Sequence, residues 1–96
     1  MPRFTLEFNE KALKEWKKLE PALQLQLAKK LKESLDLPRV EADRLHSLQD
    51  CYKIKLRSVG YRLVYQVMDN RLVVTVITVG KRERSDVYEA ARKRIE

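Results

Sequence analysis

The chain is poor in the side chains that most often do chemistry. It has one cysteine, Cys51, and one histidine, His46, in 96 residues. A single cysteine excludes an intrachain disulfide, and with a single histidine it leaves too few donors for a zinc site, so a reducing, cytoplasmic setting is expected. Glycine is as scarce, with Gly60 and Gly80 alone, so no glycine-rich loop is present to cradle a phosphate. There is no HExxH, and one histidine does not convincingly serve a Ser/His/Asp set. Clustered carboxylates are missing from the basic half of the chain, which argues against a metal-dependent nuclease. No metal and no cofactor are expected. No apolar run approaches the roughly 20 residues that span a membrane, and the N-terminus lacks the layout of a signal peptide, so no membrane partner is expected either.

What the chain does have is positive charge, unevenly placed. The formal net charge is +7, and the 44% apolar content over residues 1–96 suits one small domain. Residues 1–50 carry ten Lys/Arg against nine Asp/Glu, whereas residues 51–96 carry eleven against five. The field therefore belongs to the second half. A concentrated positive field points to nucleic acid, an acidic protein or an anionic surface.

Within that half, YKIKLRSVGYRLVYQV alternates. Side chains of an extended chain swap faces at each residue, so Lys53, Lys55 and Arg57 share one side and Tyr52, Ile54 and Leu56 the other. A two-residue loop at Val59 and Gly60 would pair Arg57 with Arg62, Lys55 with Val64 and Lys53 with Gln66, and would put Arg62 on the face of the three cations. Like charges across a ladder destabilise it, so the crowding implies an anion that balances it, although a solvated strand face is the bland alternative. Gly80, Lys81, Arg82 and Arg84 add charge where the third strand of this region leaves the sheet.

The rest of the chain reads as support. Arg3 to Phe8 alternates as a short strand, Asn9 is a good N-cap for the helix EKALKEWKKLE, and Pro21 suits the first turn of a second helix. Two such helices are expected to form a hairpin. Trp16 reads as a core anchor rather than a base-stacking residue. Leu23, Leu27, Leu31 and Leu35, joined by Ala28, form an apolar stripe, while Leu25 lies off it as either an ordinary exposed leucine or a docking residue. Pro38 ends the helix, and Val40, Leu45 and Leu48 are expected to pin the aperiodic connector from Asp36 to Asp50. In that connector, Arg44 and His46 are candidates for contacting an anion. Strands Cys51–Arg57, Tyr61–Met68 and Arg71–Val79 follow, with Asp69 and Asn70 as a two-residue turn and the last strand apolar enough to be central. A final helix, Val87–Ile95, is capped by Ser85 or Asp86 and carries Tyr88.

If this basic face is catalytic, it works with Lys, Arg and Tyr. Those residues suit attack of an RNA 2′-hydroxyl on its neighbouring phosphate, whose dianionic phosphorane needs fixed positive charge. Arg62 and Arg82 are the natural clamps. Repulsion among Lys53, Lys55 and Arg62 lowers a lysine pKa and makes Lys55 conceivable as the base. Such a site is poor alone and gains from something that holds the RNA in reactive geometry. Tyr88 either stacks on a base, hydrogen-bonds the phosphate, or simply packs the last helix.

The segments DCYKIKLRSVGYRLVYQV and VVTVITVGKRERSDVY, with the opening ALKEWKKL, resemble the RelE family of toxins from toxin–antitoxin pairs over essentially the whole chain. The resemblance implies an α+β, microbial-RNase-like fold, in which a small antiparallel sheet of about four strands packs against two N-terminal helices and carries a short C-terminal helix. It implies a metal-independent endoribonuclease that enters the ribosomal A site and cuts messenger RNA there, with the 70S ribosome and a cognate RelB-like antitoxin as partners. Carried over by position, Lys53 and Lys55 match the family's catalytic lysines, with Lys55 as the base. Arg62 matches the arginine that stabilises the pentacoordinate phosphate, Arg82 the one at the leaving group, and Tyr88 the tyrosine that stacks on the base. Arg44, His46, Arg57, Lys81 and Arg84 are then RNA contacts, with His46 a departure from the arginine of close relatives. Two other functions stay open: a DNA-gyrase inhibitor on the same fold, whose members generally lack this Lys/Lys/Arg/Arg/Tyr set, and a plain RNA-binding module.

Overall fold

The computed structural model describes residues 3–57, 59–81 and 86–95. Strand β1 (Thr5–Phe8) leads into helix α1 (Glu10–Lys17) and helix α2 (Pro21–Asp36). Strands β2 (Cys51–Leu56), β3 (Tyr61–Met68) and β4 (Val73–Lys81) follow, and helix α3 (Asp86–Ile95) closes the described chain. The sheet order is β1-β4-β3-β2. β2, β3 and β4 are antiparallel neighbours, but β1 joins β4 in parallel, so the sheet is mixed rather than wholly antiparallel. The direction follows from the connections. The chain crosses the sheet through α1 and α2 before it enters β2, and two tight reversals then return β4 to the sense of β1.

Local signals act as their chemistry dictates. The Asn9 side-chain oxygen accepts from the amides of Lys11 and Ala12 at 2.9 and 3.4 Å, satisfying two donors that the first helical turn leaves free. Pro21 occupies the first turn of α2, where a missing N–H costs nothing. α2 ends at Asp36, ahead of Pro38. The capping proposed for Ser85 or Asp86 lies outside what is described.

The sheet is covered on both faces, unequally. On one face Ala12, Leu23, Leu27 and Leu31 of the helices pack on Tyr52, Ile54, Leu56, Leu63, Tyr65, Val67, Val74, Val76 and Val79. Trp16 packs at the margin of that core, its ring edge-on to Phe8 with centroids 5.4 Å apart. On the other face Val87 and Ala91 of α3 meet Leu48, Cys51, Val64 and Ile77. Leu48 is buried and Leu45 partly so, which pins the connector, but Val40 and Ala28 are exposed and take no part. Leu25 is 73% exposed. Among the described residues, no helix is long and apolar enough to cross a membrane.

Three irregularities shape the sheet. β2 ends at Leu56 and β3 begins at Tyr61, so positions 57–60 form the connection, with Gly60 at φ +68°. A left-handed residue is cheapest as glycine, which places the turn there. The second connection also exceeds two residues: Asp69–Arg71 form a 3-10 turn and Leu72 takes the left-handed conformation instead of Asn70. Finally, a bulge in β4 sets Tyr65 opposite Val76 and Val64 opposite Thr78, leaving Ile77 unpaired.

Candidate active site

The four-position connection shifts the β2–β3 register by two from a tight hairpin. Lys55 therefore stands opposite Arg62, Lys53 opposite Val64 and Cys51 opposite Gln66. An even shift keeps every side chain on its expected face and changes only its partner. Tyr52, Ile54 and Leu56 do enter the helix-side core, while Lys53 and Lys55 are half-exposed on the other side.

Arg62 is the hub of that face. Its Nη1 donates to the Tyr88 hydroxyl oxygen at 2.6 Å, and its guanidinium carbon lies 5.5 Å from the centroid of the Tyr88 ring. α3 thus delivers its tyrosine onto the arginine that opposes Lys55. The charge of Lys53 foremost, then some loss of solvent and the charges of Arg62 and Arg57, hold the Lys55 ammonium below the ordinary lysine range. A cleft of about 360 Å³ opens beside these groups, lined by Lys55, Leu56, Arg57, Gly60, Tyr61 and Arg62. Tyr61 joins the cleft beside Arg62, and its place next to that arginine in GYRLVY is the one sequence signal for it.

The other candidates are dispersed. Arg57 is exposed and lines the cleft from the turn rather than from the strand. Arg44 bridges to Tyr52 at the outer edge of β2, and its guanidinium is 3.5 Å from the Glu41 carboxylate. His46 is exposed, in the connector whose Ser47 and Leu48 line a 150 Å³ hollow with Tyr88, Glu89 and Arg92. Lys81 pairs with Tyr61, not with Arg62, and cross-strand partners share a face. The bulge in β4 thereby turns Lys81 toward the side of Leu56 and Tyr61. Arg82 and Arg84 lie outside the described residues. Among the described residues, no group of three or more His, Cys, Asp or Glu side chains is arranged to hold a metal ion.

Chemically, this is a half-open pocket of fixed positive charge with one lysine biased toward its neutral form and a guanidinium already oriented by a phenol. It can grip a phosphodiester and accept a proton beside it. Comparison with known proteins gives the family. Residues 6–86 match the family described as the ParE toxin of the type II toxin-antitoxin system parDE. The chain belongs to that toxin family. It is 62% identical over 92 residues, 96% of this chain and 97% of the relative, to the mRNA interferase toxin RelE of Escherichia coli K12. Its fold matches a free arginine double mutant of E. coli RelE with a TM-score of 0.91 at 58% identity, covering 99% of this chain and all of that one. The toxin in the crystal structure of the intact E. coli RelBE toxin–antitoxin complex matches with a TM-score of 0.81 at 60% identity, covering 86% of this chain and all of that one. The match to the free toxin supports the α+β arrangement of three helices and a four-stranded sheet.

Proposed function

We propose that this chain, as one RelE-like toxin domain, is an mRNA interferase: a metal-independent, ribosome-dependent endoribonuclease that cuts messenger RNA in the A site and so arrests translation. The observation that carries the reading is the placement of Lys55 opposite Arg62, with Tyr88 bonded to that arginine. Identity of 62% to a protein named mRNA interferase toxin supports it.

In the proposed reaction Lys55, biased toward the free amine, takes the proton of the 2′-hydroxyl, whose oxygen then attacks the adjacent phosphorus. Arg62 stabilises the dianionic phosphorane, and Lys53 adds charge beside it. Arg82 assists departure of the 5′-oxygen, and the ring of Tyr88 stacks on the neighbouring base. Arg44, His46, Arg57, Lys81 and Arg84 make the outlying RNA contacts. A lysine base of this kind is weak, so the ribosome's part is to hold the message in line, which can be worth several kcal/mol of barrier. A RelB-like antitoxin is the proposed inhibitor, supported by the complex known for the relative. The proposed setting is the cytoplasm.

The test is primer extension on programmed ribosomes. Purified protein cuts ribosome-bound message, barely touches naked RNA, and loses growth arrest on Arg62→Ala or Arg82→Ala. Normal cleavage by the double variant would sink the site assignment. Tight, salt-sensitive binding of free RNA without turnover would make the protein a binding module instead. A gyrase inhibitor is the second reading, favoured by the match to the ParE family. Inhibited supercoiling with translation untouched would establish it.

A further inference from the structure

Strand β1 covers β4 only as far as Val76, the partner of Phe8. Beyond that point the edge of β4 presents backbone groups that need partners, since a half-buried N–H or C=O left unpaired is costly. Two helices supply them with side chains. The Glu15 carboxylate of α1 accepts from the Val79 amide at 3.3 Å and from the Thr78 hydroxyl at 3.1 Å. Arg94 of α3 donates to the Ile77 carbonyl at 2.8 Å. The same guanidinium closes on both Glu15 oxygens, at 2.8 and 3.0 Å, in the bidentate geometry that makes such pairs strong. Arg94 is only 14% exposed, and burial, which alone raises the Glu15 carboxyl, is outweighed by the bonds from Arg94, Val79 and Thr78.

This clasp sits at the far end of the helix that carries Tyr88. α3 has a narrow apolar footing, with Val87 and Ala91 buried and Tyr88 and Ile95 partly so. A footing of that size allows the helix to slide or tilt, and a tilt about Val87 displaces the tyrosine ring. We propose that Glu15 and Arg94 are positioning residues for the candidate site: their ion pair, closed over the uncovered edge of β4, holds α3 in the orientation that brings Tyr88 onto Arg62. The proposal rests on the reading of Tyr88 and Arg62 as functional groups, and links two residues 79 positions apart that touch no part of the charged cleft.

The test uses the full chain with Arg94→Met, which keeps the apolar stem and removes the fork, and Glu15→Gln, which keeps one acceptor oxygen for Thr78 and Val79 and removes the charge. Hydrogen exchange is read for α3 and for β3 and β4 separately. The Tyr88 environment is read by 19F NMR of 3-fluorotyrosine protein, its signal assigned with Tyr88→Phe. In both variants α3 amides exchange roughly tenfold or more faster while sheet amides keep their protection, and the Tyr88 signal moves toward that of free fluorotyrosine. Cleavage on saturating programmed ribosomes falls roughly tenfold with the half-saturating concentration unchanged, and Arg94→Lys restores part of it. Unchanged α3 protection and an unchanged Tyr88 signal in the folded variants overturn the proposal. So does a uniform loss of protection across helix and sheet, which marks a stabilising pair and nothing more. If the wild-type protein cuts no message yet α3 and Tyr88 respond as stated, the nuclease reading falls and the clasp stands.

Discussion

Substituting Arg62 and Tyr88 singly and together separates two ways in which the tyrosine hydroxyl can serve the site. Arg62→Ala removes the group proposed to meet the phosphorane, and loss of one preorganised donor at developing charge costs about 10²–10³-fold in rate. Tyr88→Phe leaves the ring, hence any stacking, and removes only the acceptor of the 2.6 Å bond. A hydrogen bond to a charged group contributes about 1.5–3 kcal/mol, and the half-exposed setting of both partners puts this one at the low end. That is roughly tenfold at about 1.4 kcal/mol per decade. Because the hydroxyl already engages Arg62, it acts through the guanidinium, and Tyr88→Phe is expected to change nothing further in the Arg62→Ala background. The assay is single-turnover cleavage on saturating programmed ribosomes, with circular dichroism melts to show that all three variants stay folded. Two results refute the reasoning: Tyr88→Phe as damaging as Arg62→Ala, or factors that multiply in the double variant.

Further outcomes follow from the same geometry. Lys53→Met removes the foremost cause of the lowered Lys55 pKa, so the rising limb of the pH–rate profile moves to higher pH; an unmoved limb would mean that Lys55 is not the base. The Cys51 thiol, pushed up to about 12 chiefly by burial, is expected to react with iodoacetamide far more slowly in the native protein than in urea. Tyr65→Phe leaves the Pro38 carbonyl without the hydroxyl that donates to it at 2.6 Å. It should cost about 1–3 kcal/mol, at about 4–8 °C per kcal/mol in a melt. Glu15 is held below its ordinary 4.5, so the stability it adds is present above that pH and lost as pH falls through the lower folded value. Denaturant midpoints taken from about pH 6 to about pH 3 should fall less steeply for Glu15→Gln than for the wild type.

The faces of the sheet were legible in the sequence because alternation is a property of the extended chain itself. Lys53 and Lys55 could be put on one side, and Tyr52, Ile54 and Leu56 in the core, without knowing any partner. Register was not legible. The strands end at Leu56 and resume at Tyr61, and nothing local in RSVG distinguishes a two-residue loop from a longer one, so the pattern predicts Val64 as the partner of Lys55 where the structure has Arg62. The face survived only because the error was even. In β4 the irregularity is odd: the bulge at Ile77 inverts the alternation of an almost wholly apolar strand, where Thr75 and Thr78 are too weakly polar to mark the change, and Lys81 follows it to the other side. The parallel pairing of β1 with β4 and the link between Glu15 and Arg94 depend on contacts between the two ends of the chain, which no local pattern records.

The unequal covering of the sheet explains how a chain this small tolerates so crowded a site. Two helices bury one face deeply, and that core holds the sheet together whatever lies behind it. The other face needs only the narrow strip under α3, which leaves the outer ends of β2 and β3 free to carry like charges. Those charges repel, and Lys55 feels the charge of Lys53 most, ahead of Arg62 and Arg57. Under the proposed function a bound phosphodiester would relieve this repulsion, so part of the binding energy would be set by what the empty protein tolerates. Screening gives this argument a direct check. Adding salt should raise the melting temperature of the wild type and do so less for Lys55→Met, since the substitution removes part of the repulsion that salt would screen. Equal salt responses in the two proteins would mean that the cations on this face are already too well solvated to feel one another, and the bias of Lys55 toward its neutral form would lose its physical basis.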